Sequence, residues 1–195
     1  MKYIIAVVVG LAATAILGAD KVKEMPVRAR VLTICASGLS VTLMCLAAAR
    51  KSEMSPRFAV LAVPGIILTY LSVYDILLLA VSNETIVSAA LCALLLLPLN
   101  GDVAWWAALA SAGALFSLFA LISRLTKGAL GLGDAMIIGV VGLFTGANAV
   151  YIITYAVVFS GIASLVLLIS KRAHKGASIP FAPFLCAGFF MYIIL

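Results

Sequence analysis

The chain has 195 residues, of which 66% are hydrophobic and only 10% are charged. A soluble globular domain is nearer half apolar and a quarter charged, so this composition excludes an ordinary soluble protein and predicts an integral membrane protein. The net charge of +6 does not indicate nucleic-acid binding, because the basic residues lie in short loops between apolar runs, as is usual in membrane proteins. A chain of this length has room for about seven or eight spanning helices and for no sizeable soluble domain.

Eight apolar stretches follow one another, and we predict that they form an all-α bundle of about eight transmembrane helices. The first begins directly after Met1 and Lys2, and further apolar stretches follow it, which favours a membrane helix over a cleaved signal peptide. The sixth is short, so it crosses the membrane only if residues 130–133 already lie at membrane depth. The predicted spans are 3–18, 31–49, 58–78, 84–99, 103–123, 134–145, 149–170 and 181–195.

The distribution of basic residues predicts the orientation of the bundle. With the N-terminus outside, nine of the 13 Lys and Arg residues lie in cytoplasmic loops, as the positive-inside rule favours. These nine are Lys21, Lys23, Arg28, Arg30, Arg124, Lys127, Lys171, Arg172 and Lys175, and the four outside are Lys2, Arg50, Lys51 and Arg57. The aromatic residues that then fall near the outer interface, where such rings are favoured, are Trp105, Trp106, Tyr151 and Tyr192.

Two of the seven acidic residues have unusual surroundings. Asp75 lies inside the third span without a basic neighbour in sequence, and an ionised Asp well inside a bilayer costs at least about 2.5–3.5 kcal/mol. Asp134 follows the glycine-rich stretch 128–133 and opens the sixth span, where it could simply cap the helix. For Asp75 the structural alternative is a hydrogen bond to a Ser or Thr of a neighbouring helix. The other five are expected to be solvated loop or cap residues: Asp20, Glu24, Glu53, Glu84 and Asp102.

The predicted topology places Asp75 and Asp134 in the cytoplasmic half of their helices, so the two carboxyl groups can meet. Two carboxylates held close together cannot both ionise cheaply, so one keeps a proton while the other stays charged. Such a pair can act as general base and general acid in peptide hydrolysis. Two membrane carboxylates can equally form a proton or cation relay. The residues alone leave a protease and a small transporter or channel as alternatives.

The string Gly131-Leu132-Gly133-Asp134 resembles the GxGD signature of the type IV prepilin and preflagellin peptidases, which are intramembrane aspartic proteases. In that family an Asn follows the first Asp at a distance of eight residues, as Asn83 follows Asp75 here. Near the C-terminus the family carries a basic loop and then an Ile-Pro-Phe-x-Pro segment, which is similar to residues 171–175 and 179–183. The resemblance extends from about residue 58 to residue 195.

The resemblance implies cleavage of the short basic leader of prepilin-like precursors (pilin, pseudopilin or archaellin-like) at the cytoplasmic membrane face, in a prokaryotic inner membrane. It implies Asp75 and Asp134 as the catalytic pair, with Gly131, Gly133 and Asn83 as supporting motif residues. Because of their position, Pro180 and Phe181 are expected at the substrate entrance. The expected partners are the precursor and membrane lipid, with no nucleic acid and no metal or organic cofactor.

We therefore expect a single polytopic domain over residues 1–195, with two accessory N-terminal helices in 1–57 and the catalytic core in 58–195. Larger members of the family carry a cytoplasmic insert with two CxxC zinc pairs and also methylate the new pilin N-terminus. Here the corresponding loop is only residues 20–30 and has no cysteine, so the chain resembles a short form in which N-methyltransferase activity is not expected. A third alternative is a catalytically inactive scaffold.

Two further residue patterns are expected to be structural. The four cysteines, Cys35, Cys45, Cys92 and Cys186, lie far apart in apolar stretches, which favours small helix residues over a zinc site or disulfides. Gly139, Gly142 and Gly146 share one face of the sixth span, within about 60° of one another on a helical wheel. Such a stripe permits close packing of helices in lipid, and it points away from Asp134.

Overall fold

The computed structural model describes residues 27–52, 57–78, 83–126, 130–170 and 179–195, and for residues 27–35 and 77–78 it describes the backbone alone. The described residues form seven α-helices and contain no strand. The predicted first span, 3–18, lies outside them. The helices are α1 (Val27–Ser52), α2 (Arg57–Leu78), α3 (Asn83–Leu96), α4 (Trp105–Leu125), α5 (Leu132–Thr145), α6 (Ala149–Ile169) and α7 (Ala182–Ile194).

Each of the later seven predicted spans coincides with one of these helices to within a few residues. Among the described residues, three stretches are long and apolar enough to cross a membrane, namely Arg57–Ile76, Trp105–Leu125 and Leu132–Ile169. Two shorter apolar helices, Asn83–Leu99 and Ala182–Ile194, accompany them. The all-helical class is therefore confirmed for the described residues, whereas the count of eight spans stays a prediction.

The core of the bundle joins helices that are distant in the sequence. One cluster of buried apolar side chains draws on α2, α5, α6 and α7, and it includes Leu71, Ile138, Ile152, Leu185 and Phe189. Gly188 of α7 lets this helix approach α6 closely, because a Cβ at that position would collide with the Ile152 carbonyl oxygen. The core thus fixes α7 against α6 and α2.

The predicted glycine stripe of α5 packs against α4 and the residues before it. A Cβ on Gly142 would lie 3.1 Å from the backbone nitrogen of Ala112, and one on Gly139 would lie 3.1 Å from Cβ of Phe116. Gly146, where α5 ends, has φ +58°, a conformation that glycine adopts without steric cost. The prediction of close packing on this face is confirmed.

The bundle has two distinct ends. At the end we call the aspartate end, the last turn of α2 meets the first turns of α5 and α7. At the opposite end, which we call the aromatic end, Arg57 pairs with Asp102 at 2.9 Å. Residues with exposed or half-buried rings group at the aromatic end, as the sequence predicts: Trp105, Trp106, Tyr151 and Tyr192.

Candidate active site

Asp75 lies in the last turn of α2 and is only 6% exposed. Its Oδ2 accepts a hydrogen bond of 3.0 Å from the backbone N–H of Ala182, the first residue of α7. Among the described residues, the hydrogen bond of Asp75 goes to the start of another helix rather than to a Ser or Thr hydroxyl group, which was the structural alternative.

The segment before α7 explains why this amide is available. Pro183 at the second helical position has no N–H to satisfy, which suits the first turn of a helix. The N–H groups of Phe184 and Leu185 both donate to the Phe181 carbonyl, at 3.0 and 3.2 Å. Ala182 is thus left to donate to Asp75. Half-buried Pro180 and Phe181 lie directly beside this contact.

Asp134 lies in the first turn of α5, three residues after Gly131, which caps the helix. Its carboxylate lies near the backbone N–H of Gly131, the place that the side chain of the third helical residue takes in one half of a capping box. The carboxylate covers Gly131 so closely that a Cβ there would lie 3.2 Å from Asp134 Oδ2. Asp134 is half-buried and Gly133 likewise, while Gly131 is exposed. Asp134 can thus cap α5 and still approach Asp75 with its carboxyl group.

The charges of the two aspartates act on each other, so the fold brings Asp75 and Asp134 within electrostatic range. The core cluster holds them there, because Leu71 lies one turn before Asp75 and Ile138 one turn after Asp134. Asp75 is the deeper of the two and Asp134 the more accessible. A pair of carboxyl groups in apolar surroundings, of which one is partly accessible to water, can share a proton and activate a water molecule.

The remaining predicted residues are less closely tied to the aspartates. Asn83 is the exposed first residue of α3, and the structure describes no hydrogen bond from it to either aspartate. Residues 79–82, which connect it to α2, lie outside the described part of the chain. In the described residues, no three His, Cys, Asp or Glu side chains are grouped as metal ligands would be.

Comparison with known proteins assigns the chain to a family. The profile of the type IV leader peptidase family matches residues 62–194. The chain belongs to that family. No curated protein and no solved structure gives a significant match. The family and the apolar helices together make the chain a leader peptidase-like protease and an integral membrane protein, and α1 precedes the matched residues.

Around the aspartates of this leader peptidase-like chain, the structure also groups hydroxyl and thiol side chains that the sequence analysis did not assign to the site. Thr69 Oγ1 lies 3.4 Å from Ser40 Oγ and 3.5 Å from Cys186 Sγ. Thr69, Ser72 and Asp75 are spaced three residues apart, so they share a face of α2. That spacing was the available signal. Cys186, expected to be only an apolar helix residue, instead contacts this polar face.

A second unpredicted contact holds the turn before α5. Ser123, which is 4% exposed, donates from its hydroxyl group to the Leu130 carbonyl at 2.6 Å. Leu130 precedes Gly131, so this bond ties the end of α4 to the segment that carries Asp134. No sequence motif marks Ser123, because the bond depends on how α4 and α5 pack.

Proposed function

We propose that the chain is an intramembrane aspartic endopeptidase that removes the short basic leader of prepilin-like precursors. The observation that carries this proposal is the buried carboxyl group of Asp75, which lies close enough to Asp134 for their charges to interact. The family match favours a protease over the proton or cation relay that the two carboxylates also allowed. We assign the catalytic pair to Asp75 and Asp134, and Gly131 and Gly133 to the turn that presents Asp134.

In the proposed reaction, one carboxyl group is ionised and the other is protonated. The ionised group takes a proton from a water molecule while the water oxygen attacks the peptide carbonyl carbon, and the protonated group donates its proton to the carbonyl oxygen. In the second step the C–N bond breaks, the leaving nitrogen takes a proton from the group that acted as base, and the other group recovers its proton from the adduct. Both carboxyl groups end as they began, and water is the only co-reactant.

We further propose that residues 58–195 are the catalytic core, that residues 1–57 are accessory, and that the aspartate end faces the cytoplasm of a prokaryotic cell. The distribution of basic residues supports this orientation. The leader of the precursor is basic and remains on the cytoplasmic side before cleavage. Its junction with the apolar helix would therefore reach the membrane at the depth of the two aspartates, close to Pro180 and Phe181.

The test is cleavage of a co-expressed precursor that consists of a short basic leader, a cleavage site and a pilin-like apolar helix. We expect the parent to release the leader and both Asp75→Asn and Asp134→Asn to lose cleavage, at equal levels in the membrane. Each substitution nearly preserves side-chain shape and removes the titratable proton. Cleavage that survives in either variant would contradict the two-aspartate mechanism. Cleavage that survives in both would show that the active site lies elsewhere in the chain.

A further inference from the structure

A long cleft, which we call the α1–α7 cleft, lies between α1 and α7. It consists of two cavities of about 430 and about 1020 Å³. Leu43 and Phe190 line both cavities, so the two are parts of one cleft. Other residues that line the smaller cavity include Ala36, Ser40, Ser72, Ile76, Pro183 and Cys186.

The smaller cavity ends beside the candidate active site. Ile76 directly follows Asp75, and Ser72 precedes it by one helical turn. Pro183 directly follows Ala182, whose N–H binds the carboxylate of Asp75. Asp75 itself does not line the cavity, but its neighbours on α2 do, so a molecule in the cleft has one end within a helical turn of Asp75.

The dimensions and the walls of the cleft suit an apolar helix. Along α1 the cleft extends from Ala36 to Lys51, which is about 22 Å at 1.5 Å per residue and thus most of the hydrocarbon core of a bilayer. Leu39 and Leu43 on this wall are 64% and 43% exposed. Arg50 and Lys51 lie only at the far end.

The hydroxyl and thiol groups of the cleft lie in its smaller cavity, near the end where a peptide must unwind to be cut. Unwinding frees backbone N–H groups, which cannot remain without partners at membrane depth. Ser72 donates its hydroxyl proton to the Leu68 carbonyl of its own helix, so its oxygen keeps lone pairs that can accept. The Thr69 proton goes to the Gly65 carbonyl, and the Ser40 hydroxyl and Cys186 thiol face the Thr69 oxygen as donors that a substrate N–H could replace. Ser40 lies opposite Thr69 on α1. The cleft thus offers acceptors where the substrate backbone would be exposed.

We propose that the α1–α7 cleft binds the apolar helix of the precursor, with its unwound N-terminal end at Ser40, Thr69 and Ser72 and the scissile bond at Asp75. This inference rests on the proposed function. One wall of the cleft is α1, which lies before the matched residues 62–194. Substrate preference would therefore depend on a part of the chain that the family profile does not cover.

The first test narrows the cleft by enlarging two side chains of its walls. Ala36→Phe and Ala187→Phe place a ring in the smaller cavity, and Ala110→Phe is the matched control, because Ala110 is an exposed alanine of α4. With purified protein and the precursor described above, we expect KM to rise at least about tenfold in both cleft variants, equivalent to about 1.4 kcal/mol of binding. We expect kcat to stay within about threefold, and the control to match the parent.

The second test identifies the molecule that lies in the cleft directly. A photo-crosslinking amino acid replaces Leu39 on the α1 wall of the cleft. It is compared with the same amino acid in place of Leu109, which is also an exposed leucine but lies on α4. Both are placed in the Asp134→Asn background, which is intended to keep the precursor intact. We expect crosslinks from position 39 to the apolar helix of the precursor and none from position 109.

Three outcomes would overturn the inference: cleft variants with the KM of the control, crosslinks from position 39 to lipid alone, or crosslinks to residues 3–18 of the same chain. Failure of the proposed function has a different signature, since the parent itself would then cleave no precursor. The crosslinking comparison still reports in that case whether the cleft binds an apolar helix.

Discussion

Asp75 and Asp102 lie at opposite ends of the bundle and in opposite environments. Asp102 is bound to Arg57 at the aromatic end, and both side chains are more than half exposed. Asp75 is buried at the aspartate end, where a backbone N–H of α7 is the hydrogen-bond donor that the structure describes. A solvated ion pair costs the fold little, whereas a carboxyl group buried in a membrane bundle is expensive. Asp75, whose burial is costly, is therefore the aspartate for which we propose a functional role.

The largest expected effect separates these two aspartates. Asp75→Asn should lower the cleavage rate by about 10²–10⁴-fold or more, the usual range for a general acid or base, while Asp102→Asn should leave it within about twofold. Thermal unfolding in detergent should show no loss of stability in Asp75→Asn, because the amide oxygen can still accept the Ala182 N–H. An equal loss of activity in both variants would contradict the distinction between the two ends.

The two glycines at the ends of α5 are expected to affect different properties, catalysis at Gly131 and stability at Gly146. Gly131 has φ −64°, so alanine fits its backbone, but the added Cβ would push the Asp134 carboxylate by a few tenths of an ångström. Gly131→Ala should therefore reduce cleavage by about tenfold, since catalysis is sensitive to small displacements, with unfolding stability nearly unchanged.

Gly146→Ala should have the opposite result, because alanine is strained at φ +58° and its Cβ would lie 2.7 Å from Val103 Cγ1. We expect a loss of about 1–3 kcal/mol in stability, with normal cleavage per folded molecule. Thermal unfolding and cleavage, measured on the same preparations of Gly131→Ala and Gly146→Ala, separate the two effects. A stability loss in Gly131→Ala that accounts for its lost activity would show that the glycine is only structural.

A loss of stability of similar size is expected where α4 and α5 pack. The Cβ of Gly142→Ala would meet the Ala112 backbone at 3.1–3.2 Å, and forcing the helices apart costs about 1–3 kcal/mol. Gly161→Ala is the control, because a Cβ there meets nothing within 4 Å, and its higher helix propensity should leave stability equal or raise it by up to about 1 kcal/mol. Equal melting temperatures for the two variants would argue against tight packing on this face.

The fold was largely predictable because hydrophobic segments of about membrane length are an unambiguous signal. The sequence singles out Asp75 and Asp134 as candidates, since one is isolated among apolar residues and the other ends a GxGD string, and their catalytic role stays a proposal. Asp102, expected as a solvated residue beside a turn, is exposed as predicted. Asn83 shows the limit of motif spacing, because its exposed position at the start of α3 gives it no described contact with the pair.

Contacts between helices could not be predicted in the same way. The hydrogen bond from Ala182 to Asp75 joins residues 107 apart in sequence, and only the packing of α7 against α2 creates it. The predicted span 181–195 located this helix, but not which carboxyl group its first N–H would bind. Ser123 and Cys186 likewise acquire their roles from neighbouring helices, and a single sequence contains no record of which helices are neighbours.

The smallest expected effect concerns Lys51 at the aromatic end. Its Nζ donates to the Tyr192 carbonyl at 3.0 Å and lies 5.0 Å from the centre of the Tyr192 ring. An exposed cation–π contact contributes about 0.5–1 kcal/mol, so Lys51→Met should lower the melting temperature slightly and leave cleavage within about twofold. Lys51→Arg, which can keep both contacts, is the control and should match the parent. A large loss of cleavage in Lys51→Met with unchanged stability would show that the aromatic end takes part in catalysis, and the contrast between the two ends would no longer hold.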